Sequence, residues 1–241
     1  MDFERYIKGR DTLPVRFGKW VRWPLNRFLE RQSLIGAEPF HEAGQIPGLD
    51  ALRENWQVIR DEAQALMRDR NRVPPLGEIS PDHRALASTS KWKSFFFTGY
   101  GYKATGNRAL CPRTAELVDR VPNLVVAFFS VFEPGTYVRP HRGVTKAMLN
   151  VHLGLIVPQG PGRCEIRVEN ELRGWKTGEY MIFDETFEHE VWNETAEPRV
   201  VLFLQVLRPM RWRGLWLGKF FLWCIKRTSF VQDARRALGA T

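Results

Sequence analysis

The sequence predicts a mainly β domain with flanking helices, of the sandwich, jelly-roll or small-barrel kind. Three observations carry that expectation. From residue 123 onward, six short runs rich in β-branched and aromatic residues follow one another between Gly and Pro signals. One run of helical periodicity precedes them, over roughly 49–70. The 241-residue chain, 44% apolar and 26% charged, is also long enough to bury a core without disulfide staples.

Taken in order, residues 12–47 carry Pro14, Pro24, Pro39 and Pro47 among aromatic and basic residues. Proline lacks the amide hydrogen that a helix interior uses, so this stretch argues against one long helix, and 1–47 is expected to form an irregular basic, aromatic arm. Leu49, Leu52, Trp56, Ile59, Ala63, Leu66 and Met67 then recur at helical spacing, with Pro74-Pro75 beyond the end, which predicts the helix over 49–70. It opens a domain spanning 48–209, with a β core expected over 94–209. SFFFTGYGY (94–102) has strand propensity, and a short helix is expected near 113–120. The six β runs are LVVAFFSVF (124–132), KAMLNVHLGLIVP (146–158), CEIRVEN (164–170), EYMIFD (179–184), HEVWN (189–193) and RVVLFLQVL (199–207). Pro134-Gly135, Gly160-Pro161-Gly162, Gly174, Gly178 and Pro198 divide them.

The remaining segment, 210–241, is basic and helical in pattern. Trp212, Trp216 and Trp223 stand among Leu and Phe between arginines and lysines. Its apolar run from Gly214 to Ile225 would make a helix of about 18 Å, against a bilayer core of about 30 Å. It is too short to span. It reads either as a helix docked on the outer face of the sheet or as one lying in a membrane interface, and both readings stay open here.

The net charge of +9 points on its face to nucleic acid or an anionic membrane. It is unevenly placed. Residues 1–31 carry eight Lys/Arg against four Asp/Glu, and 207–241 carry eight against the single Asp233, which leaves 32–206 at −2. The aromatic residues of the basic ends accompany Leu and Phe rather than the polar residues of a base-stacking platform, which argues against nucleic acid. Cys111, Cys164 and Cys224 lie far apart with no paired spacing, so neither a disulfide framework nor a cysteine metal site is indicated. A reducing, cytoplasmic setting fits that usage. The first twelve residues lack the apolar stretch of a secretory signal, and no run of 18 uncharged apolar residues occurs.

Of five histidines, His141, His152 and His189 lie in the β region. A histidine on a β face is more often a packed core residue than a ligand. Two histidines from neighbouring strands are nevertheless good donors for iron, and with one carboxylate they make the facial triad of non-haem oxygenases. The combined runs SVFEPGTYVRPHRG, NVHLGLIVP, GWKTGEYMIFDETFEHEVWN and PRVVLFLQVLRP, across roughly 124–209, resemble the aspartyl/asparaginyl β-hydroxylase family of Fe(II)/2-oxoglutarate dioxygenases.

That resemblance implies a double-stranded β-helix core, with Fe(II) as metal and 2-oxoglutarate and O₂ as co-substrates. His141 and His189 match the iron-binding histidines, and Gly143 stands where oxygenases outside this family place a carboxylate. Arg199 matches the arginine that grips the distal carboxylate of 2-oxoglutarate, Ser130 its serine partner, and His152 a histidine near the other carboxylate. Asn150 is expected on the cofactor side as well. It replaces an arginine present in peptide-hydroxylating members, and Gln205 replaces a common Asp after the last strand. Asp184 and Glu188, close to His189, are expected to be supporting or rim groups rather than the missing ligand.

The resemblance extends to bacterial relatives that hydroxylate acyl chains of membrane lipids of the lipid A or ornithine-lipid type. The basic, Trp-rich ends suit an anionic lipid and peripheral attachment to the inner face of the cytoplasmic membrane. Hydroxylation of Asp or Asn in a protein or peptide is the alternative. A non-catalytic jelly-roll binding protein is a third reading, and the intact His141, His189 and Arg199 argue against it.

Overall fold

The computed structural model describes residues 13–69, 72–79 and 90–241. The first twelve residues of the expected arm, and residue 70 at the end of the expected helix, lie outside them. Its elements in chain order are α1 (Leu13–Gln32), β1 (Phe40–His41), α2 (Asp50–Glu54), α3 (Trp56–Met67), α4 (Leu76–Ile79), β2 (Trp92–Gly99), β3 (Tyr102–Lys103), α5 (Thr105–Leu110) and α6 (Pro112–Asp119). The strands β4 (Leu124–Phe132), β5 (Thr136–His141), β6 (Met148–Ile156), β7 (Cys164–Val168), β8 (Glu171–Gly174), β9 (Tyr180–Phe183), β10 (His189–Asn193) and β11 (Arg199–Leu207) follow, and α7 (Trp212–Lys226) and α8 (Ser229–Ala237) close the chain.

From β4 onward the chain deals its strands to two antiparallel sheets. The larger has the order β1-β9-β6-β11-β4-β2-β3 and the smaller β5-β10-β7-β8. This alternation is the double-stranded β-helix, the jelly-roll form of a closed β sandwich.

Both faces of the larger sheet are covered, and its central strands are apolar on both faces accordingly. On the outer face Phe129, Val131, Leu153 and Leu202 pack with Ile59, Ala63 and Leu66, which lie on one side of α3. On the inner face Phe132, Met181, Phe183 and Val201 meet Val138, Ile166, Val168 and Val191 of the smaller sheet. Burying one such aliphatic side chain contributes roughly 1.5–3 kcal/mol. The inner layer is interrupted by polar residues, and those make the candidate site.

Several local differences separate the structure from the sequence reading. The irregular arm is corrected first: Leu13–Gln32 is helical despite its prolines. Pro14 falls in the first turn, where an amide hydrogen has no intrahelical partner to lose, and only Pro24 removes an interior bond. Packing offsets that loss, because Leu29 is fully buried and the Asn26 side chain donates to Val144 O at 3.2 Å and accepts from Lys146 N at 3.0 Å. Second, the helix expected over 49–70 is divided at Asn55, whose side chain donates to Ala51 O at 2.8 Å and so competes with the backbone ladder. Third, the strand expected over 94–102 begins at Trp92 and ends at Gly99, because Tyr100 and Gly101 both take positive φ in a turn to β3. Fourth, β5, β8 and α5 were not expected, and β5 carries His141.

The C-terminal helix α7 packs by its small residues. Gly214 and Gly218 are buried, and a side chain at 218 would begin 3.3 Å from Ala147 Cβ. Close by, the turn before α7 is tied to the end of α1, with Arg211 N donating to Gln32 O at 2.8 Å and Leu34 N to Pro209 O at 2.9 Å. All three cysteines are free.

Candidate active site

The antiparallel pairing of β5 and β10 sets His141 opposite His189. Their ring centroids are 4.1 Å apart. His141 Nδ1 is 2.7 Å from Arg139 O and His189 Nδ1 is 2.9 Å from Phe187 O. A carbonyl can only accept, so each Nδ1 carries the proton and each Nε2 keeps its lone pair. Burial, the leading cause in each, lowers the pKa of both, that of His189 to about 3 with the neighbouring His141 adding to it. Two neutral imidazoles with their outer nitrogens tied to backbone are the donor arrangement that metal-binding histidines use. Among the described residues no cluster of three or more His, Cys, Asp or Glu gathers that could hold a metal ion.

Gly143 follows His141 by two residues and has an acid against it. Gly143 N donates to Glu185 O at 2.6 Å, and any Cβ at 143 would overlap the Glu185 side chain. Gln205, within β11 rather than after it, donates to Glu185 Oε2 at 3.0 Å and to Asn150 Oδ1 at 3.1 Å. Burial, with the charge of Asp184 behind it, raises the Glu185 carboxyl to about 7. Sequence reasoning missed Glu185. The acids it singled out lie elsewhere. Asp184 is fully buried, ion-paired to Arg208 and to Lys146 Nζ (2.9 Å), and accepts from Thr186 N at 2.9 Å, so it is an internal anchor and not a rim group. Glu188 is on the surface, 3.4 Å from Arg167.

The inner face of the larger sheet carries the other expected residues. Arg199 opens β11 and is 1% exposed. Its guanidinium lies 3.9 Å from the Phe132 ring centroid and 4.4 Å from that of Trp175, and its Nε and Nη1 have no hydrogen-bond partner among the described residues. Burial lowers its pKa to about 10. Ser130 stands opposite Val201, on the same face as Arg199, and its hydroxyl accepts from Trp92 Nε1 at 3.1 Å. His152 Nδ1 accepts from Trp175 Nε1 at 3.2 Å, which places the proton of the neutral ring on Nε2, a buried donor with no partner among the described residues. Burial holds His152 well below its ordinary pKa, with Arg199 and His189 contributing. Phe183 joins the two ends, its ring 5.2 Å from His152 and 5.3 Å from His189.

Fold and site together define a double-stranded β-helix protein with two facing histidines and a buried arginine between its sheets. The chain belongs to the aspartyl/asparaginyl β-hydroxylase family, whose model matches residues 53–209. It is 36% identical over 181 residues to the ornithine lipid ester-linked acyl 2-hydroxylase of Rhizobium tropici, covering 75% of this chain and 64% of that one. It is 32% identical over 191 residues to the human aspartyl/asparaginyl β-hydroxylase, covering 76% of this chain and 24% of that one. The chain thus spans less than two thirds of either relative. Among solved structures it is similar to a Pseudomonas putida prolyl-4-hydroxylase, with 16% identity, coverage of 73% and 95%, and a TM-score of 0.41.

Proposed function

We propose that this chain is an Fe(II)- and 2-oxoglutarate-dependent dioxygenase that hydroxylates a C–H bond on an acyl chain of a membrane lipid, of the ornithine-lipid or lipid A type, at the inner face of the cytoplasmic membrane. Arg199 carries the reading. A buried guanidinium whose Nε and Nη1 have no hydrogen-bond partner among the described residues is costly, so this site calls for an anion beside the histidine pair, and a dicarboxylate co-substrate supplies one.

His141 and His189 would hold the metal through Nε2, with no side chain from Gly143. When bound, iron supplies the activation of O₂ that converts 2-oxoglutarate to succinate and CO₂ and puts one oxygen atom into the substrate C–H bond. Arg199 binds the distal carboxylate, its planar fork matching two oxygens, with the Ser130 hydroxyl beside it. His152 offers Nε2–H to a carboxylate oxygen. Phe132 and Trp175 keep water off the guanidinium, so the charge pair forms where it is strongest. Asn150 enters with Gln205 as a holder of Glu185 next to Gly143.

The lipid substrate is supported by the 36% identity to an acyl 2-hydroxylase. Asn150 in place of an arginine also leaves an acidic peptide one cation short. The peptide reading draws on the 32% identity to the human β-hydroxylase. Mass spectra of membrane lipids from cells with and without the gene decide between them. An acyl species heavier by one oxygen atom is expected only with the gene. Unchanged lipids, with a hydroxylated Asp or Asn peptide instead, would shift the substrate to the second reading.

A further inference from the structure

α7 has two unlike faces. Its glycines press it onto the body of the protein, and its other side exposes Trp212, Trp216, Phe220 and Trp223, at 73, 66, 49 and 51%. Their spacing makes one stripe along the helix. Trp216 stacks on Phe220 at 5.9 Å and Phe220 on Trp223 at 5.8 Å. Such a contiguous apolar patch on a folded surface marks a contact site.

On its own helix the stripe is accompanied by cations alone. Residues 211–227 contain Arg211, Arg213, Lys219, Lys226 and Arg227 and no acid. Arg227 lies 3.5 Å over the Trp223 ring and Arg213 5.2 Å from that of Trp212, so charge sits at both ends of the aromatic row. The neighbouring helix α1 adds Trp23, 76% exposed. No helix among the described residues is long and apolar enough to cross a membrane.

We infer that α7, with Trp23 of α1, docks this protein on an anionic lipid bilayer. The aromatic stripe enters the boundary between headgroups and acyl chains, and the flanking cations meet lipid phosphates. A second copy of the chain is a poor occupant, because a symmetric pairing through the stripe would set the same five cations against each other. The docked face also reaches the site. Arg22, next to Trp23, donates to Gly143 O at 2.6 Å, and Asn26 holds Val144 and Lys146, so the segment after His141 is fastened to the helix on the bilayer. The purpose of docking rests on the proposed lipid substrate, but the docking itself needs neither metal nor co-substrate.

Co-sedimentation of the full chain, without metal, is compared on vesicles of phosphatidylcholine alone and of phosphatidylcholine with phosphatidylglycerol. Binding is expected only to the anionic vesicles, weakened by salt. It should fall by about tenfold or more in Trp212→Ser/Trp216→Ser/Trp223→Ser, and also in Arg213→Glu/Lys219→Glu, a second variant that leaves the aromatic residues in place. Equal binding by both folded variants, equal binding to both vesicles, or a lipid-free dimer that the Trp variant abolishes would overturn the inference. Turnover of detergent-dispersed lipid separates the two readings: vesicle binding without turnover leaves docking and removes the substrate, and turnover without vesicle binding does the reverse.

Discussion

His141 and His189 face each other across β5 and β10, each with Nδ1 donating to the carbonyl two residues before it. The chain thereby fixes the direction of both Nε2 lone pairs. Replacing either histidine with Ala is expected to weaken Fe(II) or Mn(II) binding, measured without oxygen by calorimetry, by more than the roughly 10- to 100-fold that loss of a supporting hydrogen bond costs. Wild-type affinity in both variants would remove the metal assignment.

Arg199 makes an unusual pair of demands on the fold. Because its guanidinium is buried without an anion, Arg199→Met should leave the co-substrate-free protein as stable as wild type or more so. The same change should abolish the rise in Tm that 2-oxoglutarate gives the wild-type protein. Thermal melts with and without 2-oxoglutarate check both parts, and a variant still stabilised by 2-oxoglutarate would move its binding site elsewhere.

Asp184 and Arg208 behave oppositely. Both are fully buried and paired, so Asp184→Ala leaves a buried arginine uncompensated and is expected to cost about 3–5 kcal/mol in urea unfolding. A small loss of stability with a large loss of metal affinity would instead make Asp184 part of the metal centre.

His41 predicts a pH dependence of stability. It is buried on β1 with neither ring nitrogen bonded, and burial, followed by the charge of Arg208, lowers its pKa from its ordinary value of 6.5. As pH falls below that value the unfolded chain takes up a proton that the folded one refuses, so stability present above it is lost toward the lower folded value. His41→Leu should flatten the slope of unfolding midpoint between about pH 7.5 and 5. An unchanged slope would show that His41 is not a source of the acid sensitivity.

Where residues are apolar on both faces, the strands were legible: the runs 124–132 and 199–207 coincide with β4 and β11, and the shorter run 189–193 coincides with β10. β5 was not, because Tyr137 and Arg139 are only half-buried and Pro140 is exposed, which breaks the pattern around His141. That histidine was found through its flanking motif. Prolines hid α1, since a sequence does not reveal how much packing through Leu29 and Asn26 offsets a lost helix bond. Asp184, Glu185 and Glu188 look alike along the chain. Only the packing of Gly143 against Glu185, and of Arg208 against Asp184, separates the acid beside the site from the internal anchor and the surface residue.

Lipid hydroxylation at this site is decided by incubating the purified chain with Fe(II), 2-oxoglutarate, O₂ and detergent-dispersed ornithine lipid, and measuring succinate and acyl mass together. One oxygen atom is expected on an acyl chain for each succinate formed, with both products absent in His189→Ala. Lipid left unchanged while wild type makes succinate would contradict the substrate, and equal succinate from wild type and His189→Ala would contradict the site.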